Sequence, residues 1–406
     1  MTDHLTDDEL ADRSGVSRER IRELVHLGIL QTENGMFERR DVMRVRVVSQ
    51  LESIGIEAEA LATALASGHL TLGYLESAGR RHPRSDLTFV EVAEEMGVTF
   101  PTLASIYMAF GLPRPEADEP VREEDLEAIR VLGILFAAGL EERDVIRMGR
   151  VWGDSTRRVA RYLPHYFHNI IEERFRRRGL GDNEAFEAAL REVGLRAGRS
   201  GEDLLGWLFR RHSEVFAVEH QFEHVETALE LAGVRRRPPR QMETAVFADL
   251  TGYTQLTEES GDDVAAEVAV TFSQLASEMA ARYRGNLVKL LGDGVFLQFR
   301  DPDDAVMASL EMVESTDSRG LPAAHIGVNA GPMLYDEGDY FGRTVNIAAR
   351  IASQAGPGQV YVGEPVVGIV SGNGFRLEEI GEFDLKGIAR PVRILRAVRG
   401  DDQSYI

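Results

Sequence analysis

The spacing of apolar residues changes near the middle of the chain. Up to residue 234 the apolar positions recur at helical spacing, which predicts an almost wholly helical half. From residue 242 onward, short apolar stretches rich in β-forming residues alternate with helix-like segments, as at Thr244 to Ala248, Val295 to Phe299 and Ile326 to Val328. This pattern predicts an all-α half followed by an α+β domain.

A run of arginines and prolines, Arg235-Arg236-Arg237-Pro238-Pro239-Arg240, separates the two halves. Proline stops a helix because it lacks an N–H donor and its ring clashes with the preceding turn. We therefore expect a linker at 235–241 and a second domain at 242–400. Before the linker, residues 151–234 are expected to form a helical transducer, with amphipathic helices at 159–178 and 202–231.

The helical half contains an internal repeat. The motif Leu10-Ala11, Ser14-Gly15-Val16 recurs as Val92-Ala93, Met96-Gly97-Val98, and later matches keep an offset of 82 to 84 residues. Each copy predicts a helix, a glycine turn, a second helix and a longer amphipathic helix. The repeat predicts one domain at 1–85 and a second at 86–150.

The first copy resembles the MerR-type helix-turn-helix, with a recognition helix at 17–26 that carries Arg18, Arg20 and Arg22. Its net negative charge opposes binding to nucleic acid, since residues 1–60 hold 8 Lys/Arg against 13 Asp/Glu. The second copy, 87–146, holds 4 against 13. DNA-binding domains of this kind carry a basic surface. A protein-interaction role is therefore favoured over DNA binding.

Composition narrows the possible chemistry. The 406 residues carry a net charge of −21, which opposes non-specific attraction to nucleic acid or anionic lipid. The chain has no cysteine, which excludes disulfides and thiol catalysis and fits a reducing compartment. It has no apolar run of 18 residues and starts with an acidic segment. We expect a cytoplasmic protein with no membrane span.

Three segments of the second half carry candidate chemistry. Asp249 follows an apolar strand, Asp293 lies in the hairpin turn Gly292-Asp293-Gly294, and Asn346 and Arg350 share one face of a predicted helix. Two carboxylates at strand ends could share a pair of metal ions. Taken alone each signal is weak, because Asp-Gly turns are common hairpin devices and a strand-terminal Asp often caps a helix.

In their order and spacing, these segments resemble the catalytic domain of the class III adenylyl and guanylyl cyclases, and the resemblance covers essentially all of 242–400. It implies a ferredoxin-like core and a set of functional residues: Asp249, Asp293 and the Leu250 carbonyl as metal ligands, Lys289 and Asp339 for adenine, Asn346 for the ribose, and Arg350 for the transition-state phosphate. Lys386 falls near the family's phosphate-contacting lysine, but the Ile388-Ala389-Arg390 that follows departs from the lysine-rich loop of the animal enzymes.

The resemblance also implies the reaction and the assembly. An enzyme of this type converts ATP to 3′,5′-cyclic AMP and pyrophosphate with two Mg²⁺ or Mn²⁺ ions per site. Its active sites lie between two catalytic domains: one supplies the metal-binding aspartates, and the other supplies the Lys, Asp, Asn and Arg. A chain that carries both sets of residues therefore predicts a homodimer. The helical half resembles, more loosely, the regulatory half of actinobacterial cyclases.

Two other functions remain open. One is a guanylyl or unspecific cyclase, and the other is a nucleotide-sensing, DNA-binding regulator with a non-catalytic cyclase-like domain. The sign of regulation is also open. Five histidines between residues 165 and 224 suggest acid-sensitive control as a hypothesis, although ordinary surface or interface histidines are an equal alternative: His165, His168, His212, His220 and His224.

Overall fold

The computed structural model describes residues 4–32, 35–38, 40–67, 70, 84–234 and 242–400. It divides into two compact units, Met1–Gln221 and Phe222–Ile406. The division falls inside a long helix that ends at Leu231. The linker expected at 235–241 lies outside the described residues.

The first copy of the repeat has its own small core. Its elements are β1 His4–Leu5, α1 Asp7–Ser14, α2 Arg18–His26, β2 Phe37–Glu38, α3 Arg40–Ser53 and α4 Ala58–Ala66. Thr6 and Ser17 cap the two helices of the turn, because each side chain accepts a backbone N–H of the first helical turn. The apolar faces meet in a cluster that includes Leu10, Ile21 and Phe37.

The second copy repeats this order of elements. It comprises β3 Arg84–Thr88, α5 Phe89–Glu95, α6 Phe100–Ala109, β4 Pro120–Arg122 and α7 Glu123–Ala137. Glycines in the left-handed region stand at matching places, Gly15 (φ 76°) in the first copy and Gly97 (φ 72°) in the second. A second cluster, with Phe89, Leu103 and Ile129, forms the core of this copy.

Long helices complete the N-terminal half. α8 spans Glu142–Tyr166 and continues through a π-helical segment, Phe167–Glu172, into α9, Glu173–Arg176. α10, Asp182–Ala189, is followed by a second π segment, Leu190–Gly194, and by α11, Leu195–Leu231. α11 therefore starts seven residues before the helix predicted at 202–231. The sequence did not indicate this earlier start, because the first turns of α11 carry no regular apolar stripe.

The C-terminal half contains a seven-stranded sheet in the order β12-β13-β11-β8-β5-β7-β6. Its strands are β5 Glu243–Leu250, β6 Gly285–Leu291, β7 Gly294–Phe299, β8 Ala324–Gly331, β11 Val360–Gly363, β12 Phe375–Phe383 and β13 Val392–Arg399. A separate hairpin pairs β9, Leu334–Asp336, with β10, Asp339–Phe341. The helices are α12 Tyr253–Ser260, α13 Asp262–Arg282, α14 Pro302–Ser315, α15 Arg343–Ala352 and α16 Glu364–Val367.

The four strands β8-β5-β7-β6 pair antiparallel, and the chain visits them with helices between β5 and β6 and between β7 and β8. This is the β-α-β-β-α-β arrangement of ferredoxin-like folds. The prediction of a helical half followed by an α+β domain is confirmed, and the first half also contains two short strand pairs, β1–β2 and β3–β4.

Alternation along β5 separates the two faces of the sheet. Val246, Ala248 and Leu250 pack with α13 and α14 in the main core, whereas Ala245 and Phe247 pack toward α15 in a smaller cluster. Among the described residues, α15 is the helix that packs over the middle of this second face, and the candidate site lies on the same face.

Candidate active site

Asp249 lies near the end of β5, on the face that α15 covers in part. It stands opposite Gly294 on β7 and opposite His325 on β8. Its side chain is 46% exposed. Burial raises the pKa of the Asp249 carboxyl above its usual range, and the negative charge of Asp293 raises this pKa further, while His325 and a backbone hydrogen bond at Leu250 act in the opposite direction. Two carboxylates therefore repel each other here, as expected of a site for cations.

The glycine after Asp293 leaves room beside the first carboxylate. A Cβ atom at Gly294 would lie 2.8 Å from Asp249 Oδ1 and 3.2 Å from the Ala248 carbonyl oxygen. The donor set around this space consists of carboxylate and carbonyl oxygens, which suit hard divalent cations. Among the described residues, no three His, Cys, Asp or Glu side chains already form a metal-binding cluster. The ligand set for a cation is thus partial in the protein alone.

Lys289 and Asp339 form an ion pair on the same domain. Their side chains are 40% and 23% exposed. Asp339 is held by a hydrogen bond from the Tyr340 backbone N–H to Oδ1, 2.8 Å, and the Lys289 ammonium lies 5.9 Å from the centre of the Phe296 ring. The structure therefore brings together the two residues that the sequence assigned to base recognition.

Asn346 and Arg350 lie on the exposed face of α15, and the opposite face of this helix is buried. The buried face fits closely on β8, since a Cβ at Gly327 would lie 2.4 Å from the Ala348 carbonyl oxygen. The start of the helix is held by Asn329, whose Nδ2 donates to the Thr344 carbonyl oxygen at 3.1 Å. The sheet thus fixes the helix that carries both polar side chains.

Lys386 is exposed in the loop between β12 and β13. The preceding residue, Leu385, is buried in a cluster with Ile347, Ile351 and Ile394. The loop is therefore anchored against α15 and the sheet, while the ammonium group faces solvent.

His325 is a site residue that the sequence analysis missed. Its Nε2 atom lies 3.6 Å from Asp249 Oδ2. The signal in the sequence is a polar residue near the start of a mostly apolar strand, and its proximity to Asp249 depends on the register between β5 and β8. Strand register across 76 residues is not readable from one sequence.

The arginines of α2, the helix expected from sequence to be a recognition helix, are engaged within their own domain. Arg18 pairs with Asp8, Arg20 pairs with Glu23 and Glu52, and Arg22 Nε lies 3.8 Å from Asp7 Oδ2. These intramolecular pairs reduce the charge available for a phosphate backbone.

All five histidines lie in the helical segments that end the N-terminal half. His168 Nδ1 lies 2.8 Å from Oε2 of the buried Glu172, His165 contacts Asn169, and His212 stacks on Phe216. His220 and His224 lie one turn apart on α11. These placements leave the acid-sensing hypothesis untested.

Two segments of the chain match known protein families. Residues 238–398 match the family described as adenylate and guanylate cyclase catalytic domain, and residues 3–78 match the family described as Rv1828-like, C-terminal domain. In the described ranges, no helix is long and apolar enough to cross a membrane.

Curated relatives match across both halves. The pH-sensitive adenylate cyclase MT1302 of Mycobacterium tuberculosis is 28% identical over 76% of this chain and 77% of its own length. An adenylate cyclase of Glutamicibacter nicotianae is 29% identical over 66% of this chain and 68% of its own. The crystal structure of adenylyl cyclase CyaB from P. aeruginosa is 23% identical over 40% of this chain and 95% of its own, with a TM-score of 0.37. The prediction that the chain is a cyclase is confirmed by the family match and the relatives, and its C-terminal domain is a member of the adenylate and guanylate cyclase family, the class III nucleotide cyclases.

Proposed function

We propose that this cyclase converts ATP to 3′,5′-cyclic AMP and pyrophosphate. The observation that carries the proposal is the ion pair of Lys289 and Asp339, which holds a donor beside an acceptor. Adenine presents an acceptor at N1 and a donor at its 6-amino group, whereas guanine presents the opposite pattern at these positions. Lys289 donating to N1 and Asp339 accepting from the amino group therefore favour ATP. The adenylate cyclases among the relatives support this choice.

In the reaction, the ribose 3′-oxygen forms a bond to the α-phosphorus while the bond from that phosphorus to the pyrophosphate oxygen breaks. Asn346 orients the ribose, so that the attacking oxygen is in line with the leaving group. Arg350 donates to the phosphoryl oxygens and stabilises the charge that develops on them. Lys386 adds a positive charge at the phosphate chain. The exposure of all three side chains leaves them accessible to a nucleotide.

Asp249, Asp293 and the Leu250 carbonyl oxygen would hold the cations. Two divalent ions, Mg²⁺ or Mn²⁺, supply positive charge to the attacking oxygen and the leaving pyrophosphate when they are bound. The space beside Asp249 that Gly294 leaves open supports this assignment. The mutual repulsion that raises the pKa of Asp249 also supports it, because a cation between the two carboxylates relieves that repulsion.

The active enzyme is a homodimer whose sites lie between two catalytic domains. Exposed apolar side chains next to the Lys289–Asp339 pair support this assembly: Leu290, Leu291, Leu334, Tyr335 and Phe341. They lie on β6 and on the β9–β10 hairpin, and a ring series from Phe296 through Tyr340 to Tyr335 joins them to the core. Apolar surface of this kind marks a contact surface. A second copy of the same domain is the partner that makes the site complete.

The N-terminal half regulates the catalytic domain, and its two repeat copies bind protein rather than DNA. The intramolecular ion pairs of Arg18, Arg20 and Arg22 and the acidic charge of both copies support this role over DNA binding. If the chain is instead a DNA-binding regulator, gel-shift binding to duplex DNA survives the double variant Asp249→Ala/Asp293→Ala.

Acid-sensitive control is a second regulatory proposal. The relative named pH-sensitive aligns with the helical half as well as the catalytic domain. One of the five histidines, His168, contacts the buried carboxyl of Glu172. Replacing all five histidines by Gln should flatten the pH profile of activity, and an unchanged profile would exclude them as sensors.

The test of the proposed function is cyclic nucleotide formation by the purified full chain with Mg²⁺ or Mn²⁺ and with ATP or GTP. Wild type should make cyclic AMP, and Asp293→Ala should lose at least about a hundredfold in rate. Asp317→Ala is the matched control, since Asp317 is an exposed carboxylate of the same domain. A 242–406 fragment, checked for folding by circular dichroism, gives the sign of regulation by its rate relative to the full chain. No product from any of these proteins would favour the nucleotide-sensing regulator.

A further inference from the structure

The helix α11 carries a stripe of exposed apolar side chains. Beginning at residue 204, these side chains recur at alternating intervals of four and three residues. Each of the seven is between 36% and 63% exposed. One arginine completes the stripe, which we call the seam: Leu204, Leu208, Arg211, Val215, Val218, Phe222, Val225 and Leu229.

The spacing of the seam is a heptad repeat. Such a repeat averages 3.5 residues per turn and keeps one stripe facing a partner helix when two helices supercoil. The seam keeps this spacing for more than three heptads, a length that indicates a coiled coil. The positions on the opposite side of the helix are small or polar: Gly206, Ser213, His220 and Thr227.

A different face of α11 contacts its own unit. The ring of Phe209, which lies outside the seam, packs edge-on against Trp152 of α8 with ring centroids 6.4 Å apart. This contact leaves the seam open, because neighbouring positions on a helix point about 100° apart. The unit therefore holds α11 in place and presents the seam to a partner.

We propose that α11 pairs with α11 of a second copy of this chain as a parallel, in-register coiled coil. The heptad repeat identifies the partner as a helix with the same spacing. The parallel orientation rests on the proposed function, in which two catalytic domains share their sites. Parallel pairing brings both Leu231 ends together ahead of β5, whereas antiparallel pairing along the seam would separate these ends by about 40 Å.

Arg211 is the charged position of the seam. Its Nη1 donates to Oε2 of Glu214 on the same helix at 2.6 Å. In a parallel pair the two Arg211 side chains face each other, and Glu214 offsets part of their repulsion. A polar residue at one seam position sets the register of a coiled coil at a cost in stability. Arg211 therefore weakens the pairing and favours one register.

The test uses the absence of cysteine from the natural chain. Leu208→Cys, Val218→Cys and Leu229→Cys each introduce one thiol into the full-length protein, and Ser213→Cys is the control on the opposite side of α11. A disulfide requires Cα atoms within about 7 Å. Under mild oxidation, the three seam variants should form covalent dimers on non-reducing gels, and the control should stay monomeric.

Each other pattern would overturn the proposal. A crosslink at only one of the three seam positions would indicate antiparallel helices, and equal crosslinking of Ser213→Cys would indicate random collision. No crosslink at the seam in a chain that makes cyclic AMP would reject the coiled coil and leave the proposed function standing. The expected pattern in a chain that makes no cyclic AMP would reject the proposed function and keep the pairing of α11.

Two variants of opposite sign test the strength of the pairing. Val218→Glu should raise the dimer Kd of the full chain at least about tenfold in sedimentation, because a seam charge must lose its water. Arg211→Leu should lower this Kd. Ala217→Glu is the matched control, since Ala217 is exposed on α11 outside the seam. Equal effects of the two glutamates would reject the seam as the contact surface.

Discussion

Lys289 and Asp339 form an ion pair across fifty residues of sequence. In the protein alone, each satisfies the charge of the other, and adenine must exchange that contact for two hydrogen bonds. Removing one member should therefore change the choice of base more than the rate of the chemical step. Asp339→Ala should lower the ratio of kcat/KM for ATP over GTP by about five- to 150-fold, which corresponds to about 1 to 3 kcal/mol.

The control for this variant lies on the same hairpin. Asp336 stands opposite Asp339 in the β9–β10 register. Asp336→Ala should leave the ratio unchanged, measured with both nucleotides under the same cation. An equal loss for the two variants would mean that the hairpin acts only by its structure.

Two inactive variants should rescue each other if the sites are shared between subunits. A mixture of Asp293→Ala and Arg350→Ala forms heterodimers in which one site carries both changes and the other carries neither. With random exchange, half of the dimers have one intact site of two, so activity should return to about a quarter of wild type. The control is each variant alone, whose homodimers should stay inactive. Mixing without rescue, although subunits exchange, would put both residue sets in one subunit.

Close packing of α15 on β8 should be sensitive to one methyl group. At Gly327 a Cβ would lie 2.1 Å from the Ala352 backbone nitrogen, so Gly327→Ala must displace the helix that carries Asn346 and Arg350. We expect a loss of about 1 to 3 kcal/mol in unfolding free energy by urea titration, together with a lower kcat. Gly368→Ala is the control, because nothing lies within 4 Å of its Cβ position and its φ is −78°. Equal behaviour of the two variants would contradict the close contact.

The capping box at the start of α5 should make the stability of the N-terminal unit depend on pH. Hydrogen bonds from the Thr88 backbone N–H and hydroxyl lower the pKa of Glu91 below its ordinary value of 4.5. A lowered carboxyl pKa stabilises the fold above the ordinary value, and this stabilisation is lost as pH falls through the lowered one. Glu91→Ala should therefore lower the Tm at pH 7 and have less effect near pH 3.

Glu94→Ala serves as the matched change, since Glu94 is exposed on the same helix. Thermal unfolding followed by circular dichroism at both pH values gives the comparison. A Tm difference for Glu91→Ala that is the same at pH 7 and pH 3 would rule out the charged cap as its cause.

The sequence predicted the class of each half because helical and strand periodicity are local properties. The glycine turn around Asp293 was also readable, since it depends on neighbouring residues. The pairing of Lys289 with Asp339 came from the family resemblance and not from spacing. The residue beside Asp249 was missed, because its position follows from strand register.

The helices of residues 151–234 were predicted less well. The expected helix at 159–178 is interrupted by the π segment Phe167–Glu172, where one extra residue per turn changes the hydrogen-bond pattern. The spacing of apolar residues in a single π turn is too similar to that in an α turn for a sequence pattern to distinguish them. The π segment was therefore predicted as ordinary α-helix. The buried Glu172, which accepts from His168 and Arg176, lies at the end of this segment.

The register of Asp249 against Gly294 has an evolutionary consequence. Shifting β7 by one residue would turn every side chain of the strand to the other face and would put a side chain where the glycine now leaves space. Insertions and deletions should therefore be excluded from the turn at 291–294, whereas the helices between β5 and β6 can differ in length without moving either carboxylate. We expect the chain lengths of related cyclases to vary between residues 251 and 284, and to stay constant through the hairpin.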